Sequence, residues 1–428
     1  MHDPSFSHSR PRRGCFCGTF RPSRRQIRST RAAAIRAIRA DAAQQSITIL
    51  TLSLTDSLAT VYYNNGNYYS EVEALDRLTR VLMKDAPASV EHFRMIPTAS
   101  GVPQREFNVL RTPQERSYSQ ESQLNFFGSD VTMDAPPLSN PVLRQSERGS
   151  YPRFDWDIFP QVREELFDPD NPLALQILLG VGATVELAPG WSISAEAEGS
   201  IWDNFNIGRP SDSTLPHVRS DFLRYFVQGR TGIGYLSTAY RFRVAPTVYA
   251  TLKAGYLESM FAGVGGEILW RPEGQRWALG ADLYEVQQRD FDRLVGLQNY
   301  RILTGHISVY YASPWYDLNF MFSAGKYLAG DRGVTFQVTR RFATGVEIGA
   351  FMTKTNVSAA QFGEGSFDKG IIIRIPIGWT VPLNTQLRLA MDIRPTQRDG
   401  GQRLSADATL YDETERTSMS EMLLQGAK

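Results

Sequence analysis

The sequence predicts a mainly β protein, an antiparallel transmembrane β-barrel with a small α+β domain before it. Three observations carry this. From 151 to 411, one short segment after another alternates apolar and polar residues. Successive strand side chains point to opposite faces, so each segment has an oily face and a polar one. Mean hydropathy is −0.30, and no run of about 18 apolar residues exists, which excludes a helical membrane protein but not a barrel. Aromatics make up 11% of the chain, with 18 Tyr and 23 Phe, which suits the girdles of a barrel.

Residues 1–30 read as a disordered Arg-rich segment, and the first 40 residues hold ten Arg, no Lys and one acid, Asp3. No apolar core with a small-residue cleavage site is visible there, so an export signal is expected upstream. Cys15 and Cys17 read as incidental, because a structural zinc wants four ligands. Residues 31–112 read as a small α+β periplasmic domain. Its elements are a short helix over 32–43, strands at 47–54 and 60–63, and a helix from Glu71 to Leu82. In that helix Val72, Leu75, Leu78 and Leu82 recur at helical spacing, Ser70 is placed to cap it, and Ala86-Pro87 ends it. Strands follow at 90–96 and 106–110. The Ser-, Pro- and Gln-rich stretch 113–150 reads as a linker.

The barrel segment 151–411 contains about 14–16 candidate strands, visible as part or all of a barrel, and no clear helix. One strand sets Trp191, Ile193, Ala195 and Ala197 against Ser192, Ser194, Glu196 and Glu198. Others are centred on 303–309, 334–339, 346–352, 371–375 and 383–393, and the last runs from Leu404 to Leu410. Residues 412–428 read as a polar tail. Links such as Pro189-Gly190, Gly330-Asp331 and Asp399-Gly400-Gly401 have turn chemistry. Gly263-Val264-Gly265-Gly266 lies in strand sequence and marks a bend or close backbone approach rather than a phosphate loop.

Strand parity nominates Glu196, Glu198, Lys253, His306, Glu347 and Arg388 as lumen or polymer-contacting residues. Two loop motifs stand beside them: GKYLAGDRG with Asp331 and Arg332, and FGEGSFDKG with Glu364, Asp368 and Lys369. Trp202, Trp270, Trp277, Trp315 and Trp379 sit near strand ends, where interfacial anchoring is the expected role. The five His residues show no metal-ligating spacing, and neither a nucleophile elbow nor a Walker loop occurs. No enzymatic role and no cofactor are expected. A net charge of +1 gives no field for nucleic acid.

Six long strings sharpen the reading: LPHVRSDFLRY (215–225), YATLKAGYLESMFAGVGGEILWRP (249–272), VQQRDFDRL (286–294), YRILTGHISVYY (300–311), GKYLAGDRGVTFQVTRRF (325–342) and FGEGSFDKGIIIRIP (362–376). In these strings and in its SEVEALDRLTRVL helix the chain resembles the YjbH family, outer-membrane proteins encoded with exopolysaccharide and capsule genes. The resemblance implies an outer-membrane barrel, often lipid-anchored, that assists polysaccharide export without catalysis. It also implies more barrel sequence before the α+β unit in longer members. The expected partners are outer-membrane lipids, an exopolysaccharide and periplasmic or envelope export proteins. A general porin or structural outer-membrane protein, a polysaccharide-modifying enzyme and a soluble sandwich module are the rival readings.

Overall fold

The computed structural model describes residues 24–120, 131–138, 151–166, 173–207, 213–362, 366–379, 386, 388–395, 398–405 and 408–426. Two sheets organise the chain. The first is built from β1 (Ile47–Leu54), β2 (Leu58–Asn65), β3 (His92–Ala99), β4 (Val102–Pro103), β5 (Glu106–Leu110) and β6 (Val131–Asp134). Its order is β1-β2-β3-β5-β6, with β4 paired to β3. The helices α1 (Arg24–Gln44) and α2 (Glu71–Asp85) accompany it. Ser70 caps α2 by accepting from the Glu73 N–H, as its sequence suggested. The apolar stripe of α2, with Leu75, Leu78 and Leu82, packs on Phe93, Met95 and Phe107 of the sheet. Burial of one stripe against one sheet face is what makes so small a unit cohere.

Three expectations about this region are corrected. The helix predicted over 32–43 begins at Arg24, inside the stretch expected to be disordered, because Ala and Arg are strong helix formers. Residues 1–23, with both cysteines, lie outside the described residues. The expected linker carries structure: α3 (Arg111–Gln120), and β6, whose Val131 and Met133 pack against the core. β6 is only four residues long, too short for its alternation to stand out among the prolines.

The second sheet is mainly what the barrel segment forms. It has thirteen strands in chain order: β7 (Arg153–Leu166), β8 (Leu173–Ala188), β9 (Trp191–Asp203), β10 (Thr231–Ala245), β11 (Val248–Tyr256), β12 (Phe261–Trp270) and β13 (Trp277–Arg289). Then come β14 (Leu297–Ala312), β15 (Leu318–Lys326), β16 (Arg332–Arg341), β17 (Glu347–Thr355), β18 (Asp368–Pro376) and β19 (Arg388–Ile393). Every neighbouring pair is antiparallel. Among the described residues no ladder joins β19 back to β7, so closure of the barrel is not seen. Gly265 in β12 lies under the Tyr284 ring of β13, where any side chain would collide with it. That is the close approach its glycine-rich sequence implied.

The two ends of this sheet differ. At one end the connections 189–190, 246–247, 271–276, 313–317 and 342–346 are tight, while 377–387 is longer. At the other they include 204–230, 290–296 and 356–367. The α+β unit sits on the tight-turn end. Gly190 N donates to Ser100 O at 2.7 Å, Tyr249 Oη to Gln104 O at 2.6 Å, and Tyr69 Oη to Gly345 O at 3.3 Å. Gly190 has φ +79°, and a Cβ there would run into the Arg241 carbonyl, so this corner requires glycine.

Helices also lie beyond residue 151, where none was expected. They are α4 (Phe222–Gln228), α5 (Ala359–Phe362), α6 (Leu410–Glu415) and α7 (Met419–Gly426). The strand predicted from Leu404 to Leu410 does not form: Leu404 and Ser405 are irregular, 406–407 lie outside the described residues, and Leu410 opens α6. The expected polar tail is instead α6 and α7, with Met422 fully buried and Thr414, Glu415 and Glu421 nearly so. Of the strand predicted at 383–393, Arg388–Ile393 is a strand; 383–385 and 387 are outside the described residues.

Candidate functional site: the inner face of the thirteen-stranded sheet

Parity along the strands separates two surfaces. On β11 to β14 the outward residues Leu252, Val264, Leu283 and Ile307 are 57%, 56%, 58% and 63% exposed. Their inward neighbours Thr251, Lys253, Thr304 and His306 are buried. The apolar face is therefore outside and the polar face inside, the reverse of a soluble sheet packed on its own core.

The structure places the nominated residues on or near this inner face. Glu196 accepts from Gln161 Nε2 at 2.6 Å. Glu198 accepts from Arg163 Nη2 at 2.5 Å and pairs with Arg293, whose side chain is fully buried. Lys253 Nζ donates to Ala408 O at 3.2 Å and lies 3.7 Å from Glu267. His306 Nδ1 is 3.2 Å from Asp282, and its ring meets Tyr327 edge-on at 4.8 Å. Glu347 binds Arg341 at 2.7 Å. The Arg388 guanidinium lies 5.2 Å from the Tyr69 ring centroid.

The loop motifs come out differently. Asp331 closes its turn through its own carbonyl, which accepts from Tyr327 N, and its carboxylate accepts from Gly401 N at 2.8 Å. Arg332 begins β16, exposed, its amide held by Asn356 Oδ1. Glu364 lies outside the described residues. Asp368 and Lys369 belong to β18 rather than to a loop. Asp368 is buried 3.5 Å from Arg394, whereas Lys369 is exposed over Phe367. Trp202, Trp270 and Trp315 are exposed, and Trp277 stands edge-on to Trp270 at 5.0 Å. The Trp379 side chain is outside the described residues.

What sequence reasoning missed is the occupant of the inner face. Residues 398–405 and 408–426 lie along it, the first near the end with the long connections and the second reaching the opposite end. At the first end, Asp399 accepts from Arg219 N, Ser220 N and Ser220 Oγ at 2.8 to 2.9 Å. Arg219 also donates to Arg403 O at 2.8 Å, while Glu258 holds the Arg219 guanidinium and the Ser405 amide. Midway, Leu410 N donates to Glu267, Arg271 to Tyr411 O, and Tyr411 stacks on Tyr310 at 3.9 Å. At the second end, Arg341 reaches Glu415 at 2.8 Å and Glu421 at 2.9 Å, and Arg241 reaches Glu413 at 2.9 Å. Finally Ser70 of the α+β unit donates to Gln425 at 2.7 Å. Irregular backbone is held here by inward Lys, Arg and Glu side chains, which replace the ladder partners that a strand would need. One signal was available: Arg341 shares parity with the inward Thr335 and Thr339.

A cavity of about 550 Å³ stays open beside this segment. It is bounded by β7, β9, β10, the 257–260 turn and β19, with Glu164 and Asp392 on the two outermost strands.

Residues 17–416 match the sequence profile of the YjbH family, described as exopolysaccharide biosynthesis protein YbjH. The chain belongs to the YjbH family. It is 32% identical over 370 residues to the "uncharacterized lipoprotein YjbH" of Escherichia coli K12, covering 82% of this chain and 51% of that protein. This YjbH-family chain thus spans about half the length of that relative. Among solved structures, the loop-deleted OmpT of Vibrio cholerae aligns with a TM-score of 0.26 at 11% identity, over 52% of this chain and 86% of that one. The in-vitro folded OmpT trimer aligns at 0.26 and 12%, over 52% and 82%.

Proposed function

We propose that this YjbH-family chain is a non-catalytic outer-membrane component of exopolysaccharide export or surface assembly. The observation that carries this is the outer face of the second sheet. From Phe154, Trp156 and Ile158 on β7 to Ile371 on β18 and Leu389 on β19, large apolar side chains stand exposed around the whole sheet. Soluble monomers seldom expose contiguous apolar patches beyond a few hundred Å², and an unbroken band of this kind fits lipid.

Mostly short connections at one end, and the longest one, 204–230, at the other, fit the usual periplasmic and extracellular ends of such a wall. In that orientation the α+β unit is periplasmic, where it can meet export proteins, and the carbohydrate lies on the polar inner face. The wall and the polar interior supply a route or a docking surface, while the energy for transport comes from elsewhere. A strain lacking the gene should lose surface exopolysaccharide while keeping small-solute uptake. Unchanged surface polysaccharide with impaired solute uptake would instead establish the porin reading.

A further inference from the structure

The inner face is filled unevenly. Along β11 to β17 the inward Thr251, Thr304, Ser308 and Ser323 are at most 2% exposed, because the segment from 398 to 426 lies over that side. Along the two outermost strands the inward positions are open: Asp155 and Asp157 on β7 and Asp392 on β19 are exposed. Among the described residues the sheet has thirteen strands, so its first and last run the same way and are not joined by the antiparallel ladder used everywhere else. Unpaired strand edges are tolerated at membrane depth only where protein or water satisfies them. The cavity of about 550 Å³ lies at this seam, with Glu164 on one edge strand and Asp392 on the other.

The chemistry of the cavity is one-sided. Its charged lining is six carboxylates (Glu164, Glu165, Glu196, Glu198, Glu258, Asp392) and three guanidiniums (Arg163, Arg219, Arg394). Each guanidinium is already engaged, and three of the six carboxylates are too: Arg163 and Arg293 hold Glu198, Arg219 holds Glu258, Arg374 holds Asp392, and Arg394 holds Asp368. An incoming carboxylate would have to break one of these pairs. Incoming hydroxyl or ammonium groups meet Glu164 and Glu196, carboxylates that act only as acceptors when ionised.

We propose that the seam cavity between β7 and β19 binds a segment of saccharide chain that is neutral or carries amino groups, and excludes uronate-rich chain. This rests on the exopolysaccharide reading above.

The test uses the full chain purified in detergent, titrated calorimetrically with cellohexaose, fully deacetylated chitohexaose and hexagalacturonate. Chitohexaose should bind best, cellohexaose more weakly, and hexagalacturonate not at all. Glu164→Gln combined with Glu196→Gln should weaken chitohexaose by about tenfold and leave cellohexaose nearly unchanged. A merely misfolded variant would lose both. Glu285→Gln, at an exposed position outside the cavity, should change neither. Hexagalacturonate binding as tightly as chitohexaose, equal weakening of both ligands in a folded variant, or binding of none of the three would overturn the site. If none binds while the gene's loss still strips surface polysaccharide, the site fails and the export role stands. If the gene's loss leaves surface polysaccharide intact, the export role fails.

Discussion

Arg341 shows how single residues hold the interior together. Its guanidinium is buried against Glu347, Glu415 and Glu421, so one cation serves a wall strand and both C-terminal helices. Arg341→Met removes the cation that all three carboxylates share and leaves them facing one another. The expected cost is about 3–5 kcal/mol, the range for breaking a buried pair, read as a lower urea midpoint and as earlier proteolysis of α7. Glu71 makes a second, titratable case outside the thirteen-stranded sheet. It is buried and accepts from Tyr63 Oη at 2.6 Å and Asn65 Nδ2 at 3.0 Å. Burial pushes its carboxyl above the usual carboxylate range, outweighing those two donors. A raised folded-state pKa means that the native state holds the proton more tightly than the unfolded chain. Its contribution is therefore fully present below the ordinary value and lost as pH rises through the raised one. Glu71→Gln cannot ionise, so its thermal stability relative to the parent should be more favourable at pH 7 than at pH 4. The opposite ordering would show that the donors dominate.

The C-terminal segment is the element whose behaviour matters most. It is fixed at its start by Asp399, in its middle by Glu267 and Arg271, and at its end by Arg341 and Ser70. Because it occupies the inner face, removing residues 408–428 should raise single-channel conductance several-fold in planar bilayers, and an unchanged conductance would show that it does not obstruct the route. Its helix α6 carries a capping box, Thr409 with Asp412, and Thr409→Ala should cost about 1 kcal/mol. This element was also the least legible in the sequence. Leu404 to Leu410 alternates as a strand does, yet its described residues have no ladder partner, and Ser405, Ala408 and Leu410 are held by Glu258, Lys253 and Glu267. Periodicity reports which side of a segment is oily, not whether a neighbouring strand exists. The α2 helix was legible because its cap, stripe and stop all agree. The inward parity of Glu196, Glu198, Lys253, His306 and Glu347 was readable strand by strand, but the partner of Lys253 was not, since Ala408 lies 155 residues away, whereas Asp282 and Arg341 face His306 and Glu347 directly across neighbouring strands.

At the scale of the molecule, the sequence made the mainly β architecture readable because apolar outward and polar inward residues alternate along successive strands. The strand count among the described residues was not readable, because it depends on which alternating segments find partners. The apolar outer band makes one more prediction: Leu283→Lys, at an outward position in β13, should destabilise the membrane-inserted state by about 2–4 kcal/mol if it sits near the bilayer midplane. The most direct test of the central claim is nitroxide accessibility at Leu283→Cys and Ile307→Cys in protein reconstituted into bilayers. Both labels should be relaxed by oxygen, which concentrates in lipid, and shielded from a water-soluble nickel complex. Labels reached by nickel and not by oxygen would place this face in water and contradict an outer-membrane wall.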